Sequence, residues 1–296
     1  MICWVRNAQI LRLDQKPYLL YEHDGFGIPQ TKRIEDSGPL QHGTTDRGMK
    51  LPARDIVLYV QMFAEDWEDY YEKRAELARW FSPFGEAGTL QVTEAGVGGS
   101  NGGGGLEISG YAVEGLDFPG SEREGLTQTV PIVLHCSDPF WQDIESSSVT
   151  FSAGGGSDTF EVPTVVPFKV GASTMLVSQL IDYAGDADAY PVITMFGPVT
   201  DLKISIQPQG KNYSLKLDFA GTTIAAGDWY EIDLRYGVKT IKDSNGVNKI
   251  STLSANSNLA TFRLFAGASN YISMTGTGIT SSTMAQLTWK NAYGGI

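Results

Sequence analysis

One helical pattern interrupts a chain that otherwise shows the patterns of strands and turns. Residues 66–83 read DWEDYYEKRAELARWFSP, and their large apolar side chains recur at the spacing of a single helix face. Asp66 is a suitable N-cap, and Pro83 ends the helix. We therefore predict one main helix that packs on a sheet through a core face of Trp67, Tyr70, Tyr71, Leu77 and Phe81.

The remainder of the sequence is typical of a mostly β protein. The 34 glycines among 296 residues favour frequent turns, and the 42% of apolar residues are enough for a sizeable core. Composition changes in the Ser/Gly-rich stretch Glu145–Asp158, beyond which short strand patterns and turn signals alternate. We predict an N-terminal α+β domain, residues 1–145, with one helix on a sheet. A C-terminal antiparallel β-sandwich, residues 146–296, follows it.

Charge and cysteine content exclude several classes of protein. The formal net charge of -12 is unsuited to gripping phosphates, so we expect no specific nucleic-acid binding. Cys3 and Cys136 lie far apart, in no metal-binding spacing, and are predicted to be free thiols. No signal-peptide pattern and no apolar run of about 18 residues is present. We expect a soluble protein, made in a cytoplasm, without membrane insertion.

The residues that could carry chemistry are scattered. Neither paired carboxylates nor a Gly-x-Ser-x-Gly or His-Glu-x-x-His motif occurs, so we predict that the protein is not an enzyme and needs no cofactor or metal. The acidic loop around Asp186 lacks the spacing of an EF-hand. Trp229 and Trp289 could stack on a sugar, although strand tryptophans are more often buried. The three histidines are single residues: His23, His42 and His135.

Five motifs, taken in order, resemble the distal tail protein of long-tailed bacteriophages. The resemblance covers about Gly27 to the C-terminus. The motifs are LPARDIVLYVQMF, DWEDYYEKRAELARWFSPFGEAGTLQV, SDPFWQD, YAGDADAYPVITMFGPV, and DFAGTTIAAGDWYEIDL with an Asn-Gly hairpin and LFAGASNYISM after it.

The resemblance implies a structural virion protein of the phage tail tip. In that family the N-terminal domain forms a ring, usually a hexamer, between the tail tube protein and the tail-tip hub protein. The C-terminal domain is a galectin-like β-sandwich outside the ring. DNA passes through such a ring without specific binding, and the family offers no catalytic residue to transfer.

Two segments are candidates for ring surfaces. The polar arm Gly27–Pro52 is too long to be an idle connection, and its Arg33, Arg47 and Lys50 are candidates for contacts with acidic residues of a neighbouring subunit. The glycine-rich stretch AGVGGSNGGGG lacks the Gly-Lys-Ser/Thr of a phosphate loop and is predicted to be a hairpin tip. Together with strand Arg54–Phe63, this tip is our candidate for the lumen or tube-side surface, through Gly98, Asn101 and Gly104.

Two alternatives compete with the ring protein. A lectin-like carbohydrate-binding module would use the second domain for host recognition. A glycoside hydrolase would need two carboxylates that face each other across a cleft, and no motif suggests such a pair. The mass of the protein in solution separates these functions, because only the first predicts a ring.

Overall fold

The computed structural model describes residues 1–93, 104–152 and 175–296, which form two units. The first unit is Met1–Ile144 together with Ala292–Ile296, and the second is Glu145–Asn291. The chain therefore returns to the first unit for its last residues, which the predicted division places in the C-terminal domain. Antiparallel sheets dominate both units, and the mostly β fold class with one main helix is confirmed.

The first unit contains a large antiparallel sheet in the order β2-β1-β8-β9-β11-β7-β4-β3, with β10, β12 and β23 paired beside it. A short 3-10 helix, Gly120–Glu122, precedes β10. Strands β5 and β6 form a separate two-stranded sheet. The elements are β1 Ile2–Arg6, β2 Gln9–Arg12, β3 Asp14–Gln15, β4 Tyr18–Asp24, β5 Lys32–Asp36, β6 Thr45–Lys50, β7 Arg54–Phe63, α1 Trp67–Trp80, β8 Gly88–Val92, β9 Leu106–Ala112, β10 Arg123–Glu124, β11 Thr127–Cys136, β12 Trp141–Asp143 and β23 Ala292–Tyr293.

Strands β7 and β11 form the centre of this unit. They pair over their full ten-residue lengths, and every second side chain of each strand is buried. Leu58 lies opposite Ile132, and Val60 lies opposite Val130, all at or near zero exposure. This alternation is the period of two that a half-buried strand requires. The predicted strand Arg54–Phe63 has the bounds of β7.

Helix α1 begins and ends where local signals predict. The Asp66 carboxylate accepts a hydrogen bond from the Asp69 amide at 2.8 Å, and the Asp69 carboxylate accepts one from the Glu65 amide at 2.8 Å. These bonds satisfy amides that a helix leaves free at its N-terminus. Tyr18 holds the helix on the sheet, because its hydroxyl donates to a carboxylate oxygen of Glu76 at 2.5 Å.

The core face of α1 is narrower than the prediction. Tyr70, Leu77 and Phe81 are buried, as predicted. Trp67 and Tyr71 are 52% and 60% exposed, so their assignment to the core face is wrong. Adjacent helix positions are about 100° apart, which turns Tyr71 away from the stripe centred on Tyr70. Trp67 lies in the first turn, where its ring meets the guanidinium of Arg123 at 5.5 Å from the ring centroid.

The second unit consists of two five-stranded antiparallel sheets, as the predicted sandwich requires. The first has the order β13-β22-β15-β19-β20, and the second has β14-β21-β16-β17 with β18 also paired to β16. A short 3-10 helix, Ile250–Thr252, follows β20. The strands are β13 Ser147–Ser152, β14 Met175–Ile181, β15 Val192–Phe196, β16 Val199–Pro208, β17 Leu215–Asp218, β18 Thr223–Ile224, β19 Trp229–Asp233, β20 Thr240–Asp243, β21 Asn270–Thr277 and β22 Met284–Trp289.

Both sheets of the second unit bury one face. Alternate residues of β16 and β21 are buried, among them Ile204, Ile206 and Ile272, and β15 buries Ile193 and Met195. Trp289 is also buried, and its indole N–H donates to the side-chain oxygen of Asn291 at 3.2 Å. A tryptophan in this position serves the core and cannot offer its face to a sugar.

Candidate functional site

The arm Gly27–Pro52 carries a β-hairpin that buries no side chain against the described residues of its own chain. Strands β5 and β6 pair antiparallel, and we call residues 32–50 the arm hairpin. Every residue of both strands is exposed. Folded chains bury at least one face of a sheet, because an isolated two-stranded hairpin is only marginally stable in water. Both faces of the arm hairpin are therefore exposed and available for contact.

A buried arginine fixes the base of the arm. The Arg54 guanidinium donates to the backbone oxygens of Gly25 at 3.2 Å, Gly27 at 3.0 Å and Gly294 at 2.5 Å. Burial lowers the pKa of Arg54, as expected when a cation leaves water. One side chain thus joins the residues that lead into the arm hairpin to the C-terminal segment, in which Gly294 follows β23.

The C-terminal segment completes this anchor. Strand β23 pairs with β12, and the Ile296 amide donates to the Phe26 carbonyl oxygen at 3.1 Å. Gly295 lies so close to the arm that a Cβ atom there would be 2.7 Å from the carbonyl carbon of Gly27. The Trp141 indole donates to the same Phe26 oxygen at 3.2 Å. The start of the arm is therefore held by hydrogen bonds and close packing, whereas every residue of the hairpin strands beyond it is exposed.

Two acidic groups lie near the Arg54 guanidinium: the Cys136 thiol, directly opposite Arg54 across β7 and β11, and the Asp138 carboxyl group. Burial raises the pKa of the Cys136 thiol to about 12, and it also raises the pKa of Asp138. Cys3 and Cys136 are both free and buried, as predicted. A thiol with a raised pKa is a weak nucleophile, so this cluster is built for structure and not for covalent chemistry.

The predicted arm cations differ in their surroundings. Arg33 pairs with Asp46 inside the arm hairpin, and Arg47 pairs with Asp36 at 3.3 Å. Lys50 lies directly opposite Lys32 across the two strands. All three predicted cations are exposed, so each can meet a partner. Their assignment to an inter-subunit contact stays a prediction.

One of the three residues predicted for the lumen surface lies within the described residues. Gly98 and Asn101 lie outside the described residues, and Gly104 is exposed just before β9. Strand β7 lies inside the large sheet, with Tyr59 on its outward side at 36% exposure. The structure does not bring Gly104 together with the arm cations in any described contact.

The described residues 1–93, 104–152 and 175–296 hold no group of three or more His, Cys, Asp or Glu side chains that could bind a metal. A groove of about 740 Å³ lies between the β1–β2 turn and the C-terminal end of α1. Its lining combines Arg6, Arg79, Glu76 and Trp80 with residues of the turn. Within the same described ranges, no helix is long and apolar enough to span a membrane.

The sequence of part of the first unit is similar to a known protein family. Residues 13–90, which include the arm and α1, match the model of the phage tail protein RIFT-related domain. This segment is therefore similar in sequence to that phage tail domain. No curated protein sequence matches the chain.

Solved structures share the fold of the whole chain. The Dit protein of phage SPP1, described as a paradigm of the hub adsorption apparatus in phages that infect Gram-positive bacteria, is similar with a TM-score of 0.64 and 12% identity. That comparison covers 99% of this chain and 99% of Dit. A chain in the baseplate of phage p2, in its activated conformation with calcium, gives a TM-score of 0.52 at 10% identity, with 98% of each chain covered. The resemblance to distal tail proteins is thus confirmed by the domain match and by the fold.

Proposed function

We propose that the protein is a structural component of the virion tail tip of a long-tailed phage, where its first unit assembles into a closed ring. The similarity of residues 13–90 to a phage tail domain and the fold shared with SPP1 Dit support this function. The arm hairpin is the observation that carries it. A hairpin that is hydrogen-bonded to the core at its base and buries none of its side chains offers its surface for contact with another subunit.

The proposal also covers the number of subunits in the ring, the neighbouring tail proteins and the position of the second unit. The ring is a hexamer and connects the tail tube protein to the tail-tip hub protein. The acidic composition allows DNA to pass without adhering, because like charges repel. The protein is non-enzymatic, and its second unit is a galectin-like sandwich on the outside of the ring.

Removing the arm hairpin tests the assembly. Arg33 and Met49 lie directly opposite each other, so two glycines in place of residues 34–48 close the shortened strands with a tight turn. We expect the full-length protein to form a ring at micromolar concentration in light scattering, and the shortened variant to be monomeric. Because the arm hairpin buries no side chain, the variant should keep the wild-type melting temperature and circular dichroism spectrum.

Two results would contradict the proposal. A full-length protein that stays monomeric at high concentration would remove the ring. A ring of unchanged mass in the shortened variant would show that the arm hairpin is not the contact. A matched control replaces residues 209–212, an exposed turn of the second unit, with two glycines and should leave the mass unchanged.

A further inference from the structure

The two faces of the arm hairpin differ in how their charges are compensated. Side chains alternate along a strand, so Arg33 and Met49 share one face, while Lys32, Lys50 and Ile34 share the other. Arg33 has its ion-pair partner within the hairpin. Lys32 and Lys50 face each other directly, and no acidic side chain pairs with either of them in the described part of the chain. Like charges that lie directly opposite each other destabilise a hairpin. An acidic side chain from another molecule would therefore stabilise this face.

The same face has an apolar surface beside the two lysines. Ile34 is 46% exposed and lies opposite Gly48. A Cβ atom at Gly48 would touch nothing within 4 Å, so the space over this glycine is open. An aromatic ring placed over a strand glycine, against Ile34, would bury apolar surface that the hairpin alone leaves in water. The face therefore fits a surface that presents aromatic rings next to carboxylates.

The outer side of α1 has this composition. Trp67 and Tyr71 are one turn apart and form an exposed aromatic row. Glu68 and Glu72 form a parallel exposed row beside it. Neither glutamate has a basic partner among the ion pairs of the described ranges. The two glutamates are four residues apart on the helix, a spacing at which like charges repel each other.

The overall charge distribution supports a contact between these two surfaces. The arm hairpin contains four basic and three acidic residues. The rest of the first unit contains 8 basic and 19 acidic residues, so the hairpin carries a small positive net charge within an acidic unit. Charge complementarity of this kind selects the partner and its orientation more than it sets affinity.

We infer that the Lys32–Lys50 face of the arm hairpin docks on the outer side of α1 of a second copy of this chain. The two lysines pair with Glu68 and Glu72, and Tyr71 lies over Gly48. Hairpin to helix is a heterologous contact, which is the type that closes a ring of identical subunits. The inference rests on the proposed ring and names both of its contacting surfaces.

Charge reversal tests the pairing in the full-length protein. The hairpin variant is Lys32→Glu with Lys50→Glu, the helix variant is Glu68→Lys with Glu72→Lys, and the third variant combines all four changes. We expect each double reversal to raise the protein concentration at half-assembly at least about tenfold, since like charges then meet across the contact. The combined variant should return to within about threefold of the wild type, because opposite charges meet again.

Matched controls separate pairing from net charge and from folding. Lys211→Glu with Lys242→Glu makes the same change in charge on exposed sites of the second unit and should leave assembly unchanged. Tyr71→Ala should weaken assembly without lowering the melting temperature. Because Lys32 and Lys50 are replaced by two opposed glutamates, repulsion within the hairpin is similar in both forms.

The outcomes distinguish this inference from the function it rests on. A wild-type protein that never assembles overturns the ring itself. A wild-type ring that is lost when the hairpin is removed, yet is unaffected by either double reversal, keeps the ring and overturns the helix as its docking surface. Failure of the combined variant to recover, with both double reversals impaired, overturns the direct pairing of these residues.

Discussion

The first unit contains two antiparallel strand pairs with opposite properties. Strands β7 and β11 pair over ten residues, and each buries alternate side chains in the core. Strands β5 and β6 pair in the same manner, but each of their side chains is exposed. Backbone hydrogen bonding is thus common to both pairs, and burial is what separates them.

The difference separates a part of the molecule that stabilises the fold from a part whose side chains stay available for contact. Burial of apolar side chains is the main favourable contribution to folding, at roughly 25 cal/mol per Å². The arm hairpin contributes almost none of it, so changes there should leave stability intact and alter association. Changes around β7 and β11 should do the reverse.

Helix α1 has a buried side and an exposed side. The largest loss of stability is expected at Phe81, the buried residue that caps the C-terminal end of the helix. Phe81 is buried against Trp4, with 5.5 Å between ring centroids. Phe81→Ala should lower the free energy of unfolding by about 3–5 kcal/mol, because it empties a core site. The exposed Trp67 is the matched aromatic, and Trp67→Ala should cost less than about 1 kcal/mol in the same urea titration. Similar losses for the two variants would refute the assignment of Trp67 to the surface.

Substitutions of Leu58 in β7 and Ile34 in β5 test the comparison between the two strand pairs. Leu58 is fully buried in β7, and Leu58→Ala should cost about 2–5 kcal/mol. Ile34 lies on β5 in the arm hairpin, and Ile34→Ala should change stability by less than about 0.5 kcal/mol. Assembly, measured by light scattering, should be weakened more by Ile34→Ala than by Leu58→Ala. A large stability loss for Ile34→Ala would mean that the hairpin packs on its own chain.

Sequence patterns that span a few residues correctly predicted the structural features that depend on neighbouring residues. The Asp66 cap, the bounds of β7 and the burial of Tyr70, Leu77 and Phe81 follow from spacing within a few residues. The same spacing misplaced Trp67 and Tyr71, because a period of 3.6 identifies the apolar side of a helix and not how much of it the sheet covers. A pattern that contains more aromatic residues than one face can hold is itself a signal of a second contact surface.

The base of the arm could not be predicted. Arg54 contacts Gly294 across 240 positions of sequence, and nothing local to either residue indicates the other. The arm itself was predicted as an interaction segment from its length and polarity, yet its hairpin register is a property of the folded chain. The opposition of Lys32 to Lys50 therefore needed the structure.

The smallest expected change in stability comes from a comparison of two Asp–Arg ion pairs, one with a buried carboxylate and one exposed. Asp233, in the second unit, is 4% exposed, and its carboxylate accepts from the Arg235 amide at 3.0 Å and from the Arg235 guanidinium at 2.6 Å. Burial alone would raise the pKa of Asp233, but the hydrogen bonds and charge of Arg235 outweigh it, so the pKa is lowered. Asp46 pairs with Arg33 on the arm hairpin, where both side chains are at least half exposed.

The lowered pKa fixes the sign of the pH dependence. The ionised Asp233 stabilises the fold above its unfolded-state pKa of about 3.9, and this contribution is lost as the pH falls through the lower folded-state value. Asp233→Asn should therefore cost roughly 1–3 kcal/mol at pH 7 and progressively less below about pH 4. Asp46→Asn should leave the urea midpoint unchanged across the same range, since an exposed ion pair contributes little. A loss for Asp233→Asn that is independent of pH would show that packing, and not the buried charge, accounts for it.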